Sequence, residues 1–318
     1  MYKSFYHLTR NPFDLTPDPS FLFPTKGHNE ALAALEYAVK WRKGFVVLTG
    51  EVGTGKTLML RCFLKQLKQH NDVAYAYVFN SHLSPTDFLL YVATDLGLQP
   101  AGKRKSEVLF DLCHFVVERG MNKLNTVLIV DEAHYLALET LEEIRLLTNL
   151  ETTDEKLLQI VLVGQPELDD KLESAQLRQL KQRISVRTQL QPLTAEETTQ
   201  YIARRLEVAG ASPEIHLFPS EASNLVYRYS RGIPRLINAL CEKSLISAYA
   251  RGEMSVSPEI VEKAAQYFRL VDLSCPTEPP ADDFADQKRA AQVLLDALAA
   301  FQRVHNDLSP RAVRGDKA

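Results

Sequence analysis

The sequence predicts an α/β fold: a parallel sheet flanked by helices, followed by a small all-helical domain. Three observations predict it. Short apolar runs alternate with segments of helical spacing, the pattern of parallel strands joined by crossover helices. A glycine-rich loop of phosphate-binding type stands between the first such run and the next helix. Strand signals stop near Pro192, and only helical segments follow.

The elements read in order. Residues 1–26 form an N-terminal arm dense in proline and aromatics: Asn11-Pro12-Phe13, Pro17-Asp18-Pro19 and Phe21-Leu22-Phe23-Pro24. Such proline spacing opposes a helix, and the aromatics oppose disorder. An extended arm packed on the domain behind it is expected. Residues 27–43 read as a helix with Ala31, Leu32, Leu35, Ala38 and Val39 on one side. Strands are expected at 45–49, 73–79, 126–130, 158–163 and 186–190, with helices at 57–69, 84–96, 105–119 and 138–149. The run TVLIV, from Thr126, has no polar interruption, as a strand buried on both faces requires. These segments make the α/β domain, 27–192.

The helical domain, 193–271, reads as helices at 194–209, 219–230, 233–250 and 258–268. Thr194 and Glu197 have capping-box spacing, and Pro258 suits a first turn. Residues 272–318 read as a linker and tail, with helical spacing returning over 284–305 through Val293, Leu294, Leu298 and Phe301. That helix either docks on the body or binds a partner.

Composition narrows the class. The formal net charge is −3 over 318 residues, which supplies no global pull toward nucleic acid. No run approaches the roughly 18 apolar residues of a membrane span. The N-terminus lacks the apolar core of a signal peptide. A cytoplasmic location is therefore expected. Cys62, Cys113, Cys241 and Cys275 are scattered, so reduced thiols are expected and a zinc site is not.

The motifs carry the chemistry. Gly50-Glu51-Val52-Gly53-Thr54-Gly55-Lys56-Thr57 fits GxxxxGK[ST]. Glycines let the backbone wrap closely round phosphates, with N–H groups and a helix N-terminus aimed at the anion. Lys56 offers a charge to the β- and γ-phosphates of ATP, and the Thr57 hydroxyl offers a ligand to Mg2+. A second apolar strand ends in Asp131-Glu132. Asp131 would hold the magnesium, and Glu132 would accept a proton from the attacking water. His134, two residues on, suits a packing or supporting role.

Gln165 follows the strand 158–163, at the strand end that faces ligands in such sheets. A turn residue explains it about as well. Arg178, Lys181 and Arg183 precede the last strand. A solvated basic face is the plain reading, and an arginine reaching a neighbouring subunit's phosphate is the other. Arg235 follows Pro234 in the helical domain, where it can report the γ-phosphate to that domain.

These sites, in this order, followed by a helical lid, resemble the AAA+ P-loop ATPases. On that resemblance Gln165 takes the sensor 1 position, where asparagine or threonine is commoner. Arg183 matches the arginine finger, with Arg178 as its rival, and Arg235 matches the sensor 2 arginine. A closer resemblance lies in the arm. Asn11-Pro12-Phe13, Pro17-Asp18-Pro19, Gly44-Phe45, the run from Val161 to Leu168 and the run from Arg231 to Asn238 are similar to the ExeA/GspA family of general secretion pathway ATPases. The match covers about residues 1 to 270. It implies that His28 and Pro17 lie near the adenine. The 318 residues hold neither the transmembrane helix nor the periplasmic peptidoglycan-binding domain of the family's longest members. Shorter relatives accompany pilus or exopolysaccharide export.

The leading expectation is a homo-oligomeric, ring-like or ATP-assembled AAA+ ATPase. It would assemble or remodel a secretion, pilus or exopolysaccharide-export complex at the inner membrane, reached through protein partners. Related ATPases select targets for DNA transposition, so a DNA-binding ATPase is the second reading. The basic runs Lys103-Arg104-Lys105 and Arg204-Arg205 leave it open. A nucleotide-gated adaptor with little turnover is the third.

Overall fold

The computed structural model describes residues 2–16, 18–69, 72–79, 82–212 and 216–273. Pro17, Cys275 and the expected helix at 284–305 lie outside the described residues. The chain begins with a short helix α1 (Tyr2–Phe5), then α2 (Lys26–Lys40), β1 (Phe45–Gly50) and α3 (Lys56–Leu67). Next come β2 (Val73–Val78), α4 (Pro85–Asp95), α5 (Lys105–Met121), β3 (Asn125–Val130) and α6 (Leu138–Leu147). β4 (Leu158–Gly164), α7 (Glu167–Glu173), α8 (Arg178–Lys181) and β5 (Ile184–Leu190) follow. The last elements are α9 (Ala195–Val208), α10 (Ser220–Ser230), α11 (Pro234–Ala250) and α12 (Pro258–Tyr267).

The five strands form one parallel sheet in the order β2-β3-β4-β1-β5. β4 therefore lies between the strand that precedes the glycine loop and the strand that precedes Asp131. Alternation along β1 sends Phe45 and Val47 to one face and Val46 and Leu48 to the other. The first face is covered by α4, α5 and α6, the second by α2 and α3. A sheet buried on both sides explains why its central strands are uninterrupted apolar runs.

The helices α9 to α12 enclose a separate core, which also takes Tyr6, Leu8 and Phe13 from the arm. Capping starts these helices as the residue types require. Thr194 Oγ1 accepts from the Glu197 N–H at 3.2 Å, and Glu197 accepts in return from the Thr194 N–H at 2.9 Å.

The arm differs from expectation in two ways. It opens with a helical turn, because proline first appears at residue 12 and leaves Tyr2–Phe5 free to coil. Its turn at Pro19–Phe21 lies against both α9 and, in the sheet domain, α3, while its first apolar side chains pack on the helical domain. Phe13 and Tyr6 are almost wholly buried there, each contributing about 1.5–3 kcal/mol by burial. Arg205 of α9 fastens the arm further. Its guanidinium donates to the carbonyls of Pro12 (2.5 Å) and Asp14 (3.1 Å) and to the Tyr201 hydroxyl (2.8 Å), and it stacks on Phe21 at 4.6 Å.

The chain enters the helical domain against Gly232. That glycine accepts from the Leu193 N–H at 2.8 Å and has φ +72°. A Cβ there would lie 1.9 Å from the Leu193 carbonyl oxygen, so only glycine fits.

Candidate nucleotide site

Sheet register assembles the site. Gly50 ends β1 beside Leu190 of β5, Gly164 ends β4 beside Thr49, and Val130 ends β3. The glycine loop, Asp131-Glu132 and Gln165 therefore emerge side by side from one edge. That is the C-terminal edge, where open α/β sheets bind ligands.

The loop is a wrapped turn leading into α3. Gly53 and Gly55 have φ +83° and +102°, a region that glycine enters without steric penalty. Thr54 Oγ1 donates to the Glu51 carbonyl at 2.8 Å and braces the turn. Lys56 Nζ donates to the carbonyls of Gly50 (2.7 Å) and Glu51 (2.9 Å). Burial pushes the Lys56 pKa down, while the carboxylates of Glu132 and Asp131 oppose the shift. A desolvated ammonium at the N-terminus of α3 is suited to a polyanion.

Asp131 is buried, and its Oδ1 accepts from the Glu132 N–H at 2.9 Å. Its Oδ2 lies 3.4 Å from Thr57 Oγ1 and takes a hydrogen bond from the Tyr77 hydroxyl at 3.1 Å. A hydroxyl and a carboxylate converging in this way are hard oxygen donors of the kind magnesium takes alongside phosphate oxygens. Among the described residues no group of three or more His, Cys, Asp or Glu could hold a metal ion.

Glu132 adopts a left-handed backbone, φ 52°. Its pKa is raised by burial and by Asp131, and lowered in opposition by Lys56 and by a hydrogen bond from the Gln165 side chain. The structure thus brings Gln165 to the carboxylate that would activate water. His134 is buried beside them, and its Nδ1 accepts from the Gln165 N–H at 3.3 Å. A nitrogen accepting in this way carries no proton. Its 3.5 Å approach to Glu132 Oε2 is therefore not an ion pair.

The helical domain touches the loop directly. The Arg235 N–H donates to the Gly53 carbonyl at 3.3 Å, and a Cβ at Gly53 would lie 2.8 Å from Arg235 Cβ. His28 reaches the loop from the other side. Its Nδ1 lies 2.6 Å from Thr25 Oγ1, and its ring hydrogen-bonds the Thr54 backbone. Burial is the main cause of its lowered pKa. The ring lies against the phosphate loop, with Nε2 3.4 Å from where a Cβ on Gly55 would stand.

Arg183 is far from its own loop. Ile184 pairs with Phe45 while Leu190 pairs with Gly50, so Arg183 stands about 20 Å down the sheet at strand rise. It is half-buried, and its guanidinium donates to Thr148 Oγ1 at 2.8 Å. Arg178 is exposed on α8. The basic runs are also resolved. Lys103 and Lys105 pair with Asp111 and Glu143, each at 2.5 Å, Arg204 pairs with Glu207, and Arg205 is the buried clamp on the arm. Arg104, between the two lysines, is exposed.

Tyr77 is the site residue that the sequence hides. A tyrosine in an apolar strand has the signature of packing, and only the β2–β3 pairing brings its hydroxyl to Asp131.

Comparisons with known proteins agree with this geometry. A family model described as an AAA domain matches residues 40–172. The chain is 43% identical over 258 residues to "General secretion pathway protein A" of Aeromonas hydrophila, a match covering 80% of this chain but 46% of that protein. It is 24% identical over 261 residues to "ATP-dependent target DNA activator B" of Escherichia phage D108, covering 81% of this chain and 75% of that protein. Among solved structures, Drosophila ORC bound to DNA shares the fold with a TM-score of 0.62 at 21% identity, over 84% of this chain and 68% of that one. No helix among the described residues is long and apolar enough to cross a membrane. The parallel sheet, the glycine loop and the relative identical at 43% together make the chain an AAA+ ATPase of the ExeA/GspA-like family.

Proposed function

We propose that this ATPase hydrolyses Mg2+-ATP as a homo-oligomer. Its turnover would assemble or remodel an envelope export complex (secretion, pilus or exopolysaccharide) from the cytoplasmic side of the inner membrane. The observation that carries the hydrolytic reading is the meeting of Lys56, Asp131, Glu132 and Gln165 at one sheet edge. The export role is supported by the 43% identity to general secretion pathway protein A, of which the chain spans under half.

The roles follow from position. Residues Gly50 to Thr57 would cradle the phosphates, with Lys56 on the β- and γ-oxygens. Thr57 and Asp131 would hold the magnesium ion, which when bound neutralises charge on the phosphates. Glu132 would take the proton of the attacking water, and Gln165 would hold the Glu132 carboxylate toward it. Arg235 would join the γ-phosphate to the lid across its contact with Gly53. His28, which lies against the loop, is the candidate for the adenine edge, and Pro17 is a candidate on the family resemblance alone. Arg183 cannot reach its own site from the far end of β5, so it would act on a neighbour's nucleotide.

A second reading is a transposition-type ATPase activated by DNA. The phage relatives, matched over 81% of this chain, favour it. One experiment separates the two: ATP turnover measured with and without double-stranded DNA across a salt series. The export reading predicts turnover indifferent to DNA. Stimulation that falls steeply with salt would transfer the assignment to the DNA-dependent class.

A further inference from the structure

Asp131 has two oxygens with different duties. Oδ1 is spent locally, accepting the N–H of the next residue at 2.9 Å. Oδ2 is the oxygen that faces Thr57, and it carries a second hydrogen bond, 3.1 Å from the Tyr77 hydroxyl. Tyr77 itself is fixed at both ends. Its N–H donates to Asp95 Oδ2 of α4 at 2.6 Å, and its strand is paired residue for residue with β3, Tyr77 opposite Ile129. The phenol O–H is the donor in this bond and the carboxylate oxygen the acceptor.

A carboxylate on a single rotatable arm reaches a metal only if something holds its plane. Partners hydrogen-bonded behind a metal ligand do this, and losing one typically weakens metal binding about 10- to 100-fold. The Glu132 N–H holds one oxygen and the Tyr77 O–H the other. The first is a backbone group that any residue at 132 would supply. The second is a side-chain hydroxyl, which at position 77 only tyrosine supplies in this geometry.

We propose that Tyr77 is a positioning residue that presents Asp131 Oδ2 to the magnesium of bound nucleotide. It acts through Asp131 and touches neither phosphate nor attacking water. This rests on the reading of Asp131 and Thr57 as the magnesium pair. It adds to that pair a residue from a different strand, so the set of the sheet between β2 and β3 becomes a determinant of metal affinity.

The test is Tyr77→Phe, which removes the hydroxyl and keeps the ring in its packing. Binding of a fluorescent ADP analogue is titrated with EDTA and again over a range of Mg2+ concentrations, for wild type and variant, with thermal unfolding of both measured without metal. Wild type should bind more tightly with Mg2+. Tyr77→Phe should keep its metal-free affinity and its melting temperature, and should need about 10- to 100-fold more Mg2+ for the same gain. A variant with the wild-type Mg2+ requirement overturns the Tyr77 proposal while leaving the magnesium pair intact. An equal loss with and without metal also overturns it, because the hydroxyl would then serve the fold. Wild-type binding indifferent to Mg2+ would remove the magnesium pair and Tyr77's role with it.

Discussion

Gly53 is where the phosphate loop and the lid share a surface, so Gly53→Ala tests their coupling. The residue has φ +83°, where an L side chain costs about 1–2 kcal/mol. The methyl would also stand 2.8 Å from Arg235 Cβ and 3.0 Å from Ile233 Cγ2. Those atoms belong to the start of α11 rather than to a flexible tip, so the lid must withdraw or the loop must unwrap. An anion requires the wrapped backbone, whereas a free loop can relax out of it. The strain therefore falls on the bound state, and 1–2 kcal/mol alone is about a 5- to 30-fold loss of affinity. Gly97→Ala is the control. Gly97 has nearly the same φ, +85°, with nothing within 4 Å of its Cβ. Equilibrium titration with a fluorescent ATP analogue should show weakened binding in Gly53→Ala and unchanged binding in Gly97→Ala, whose strain falls on stability alone. Gly53→Ala binding ATP like wild type would refute the argument that the lid reads the loop here.

Three further outcomes follow from the same geometry. Glu132 works as a base only when ionised, so activity should rise with pH through its raised pKa. Gln165→Ala removes a bond that favours the anion, and its acid limb should move to higher pH in a kcat–pH profile. An unmoved limb would separate Gln165 from Glu132. Arg205→Met keeps the buried stem but abandons the carbonyls of Pro12 and Asp14. It should lose about 1.5–3 kcal/mol of stability and expose Arg10 to trypsin sooner than in wild type. Arg183→Ala and Glu132→Gln subunits should each hydrolyse ATP poorly alone and recover part of the rate when mixed. No recovery at any ratio would count against action between subunits.

The strands were legible because burial on both faces leaves a run such as TVLIV without polar punctuation. Lid helices were legible through their starts: Thr194 caps α9, and Pro234 and Pro258 open α11 and α12. α7, residues Glu167–Glu173, carries too short an apolar period to announce itself. What stayed hidden depends on distance along the chain. Phe13 enters the helical core, and Arg205 bonds the Pro12 carbonyl from 193 residues away, a pairing no local pattern encodes. Arg205 consequently resembled one half of a solvent-facing basic run. Tyr77 was silent for the same reason: its role exists only through strand pairing with Asp131's strand. The glycine loop and Asp131-Glu132 were legible because phosphate chemistry dictates residue type and spacing within eight or fewer positions. Arg183's distance from its own loop required the parallel register of β5 on β1.

The central claim is that Glu132, held beside Lys56 and Gln165, makes this site hydrolytic rather than merely nucleotide-binding. Steady-state turnover and ATP affinity of Glu132→Gln, measured side by side, test it most directly. The predicted result is ATP affinity near that of wild type, with turnover down about 10²- to 10⁴-fold, the usual contribution of a positioned base. Unchanged turnover would contradict it and leave the chain a nucleotide-gated adaptor.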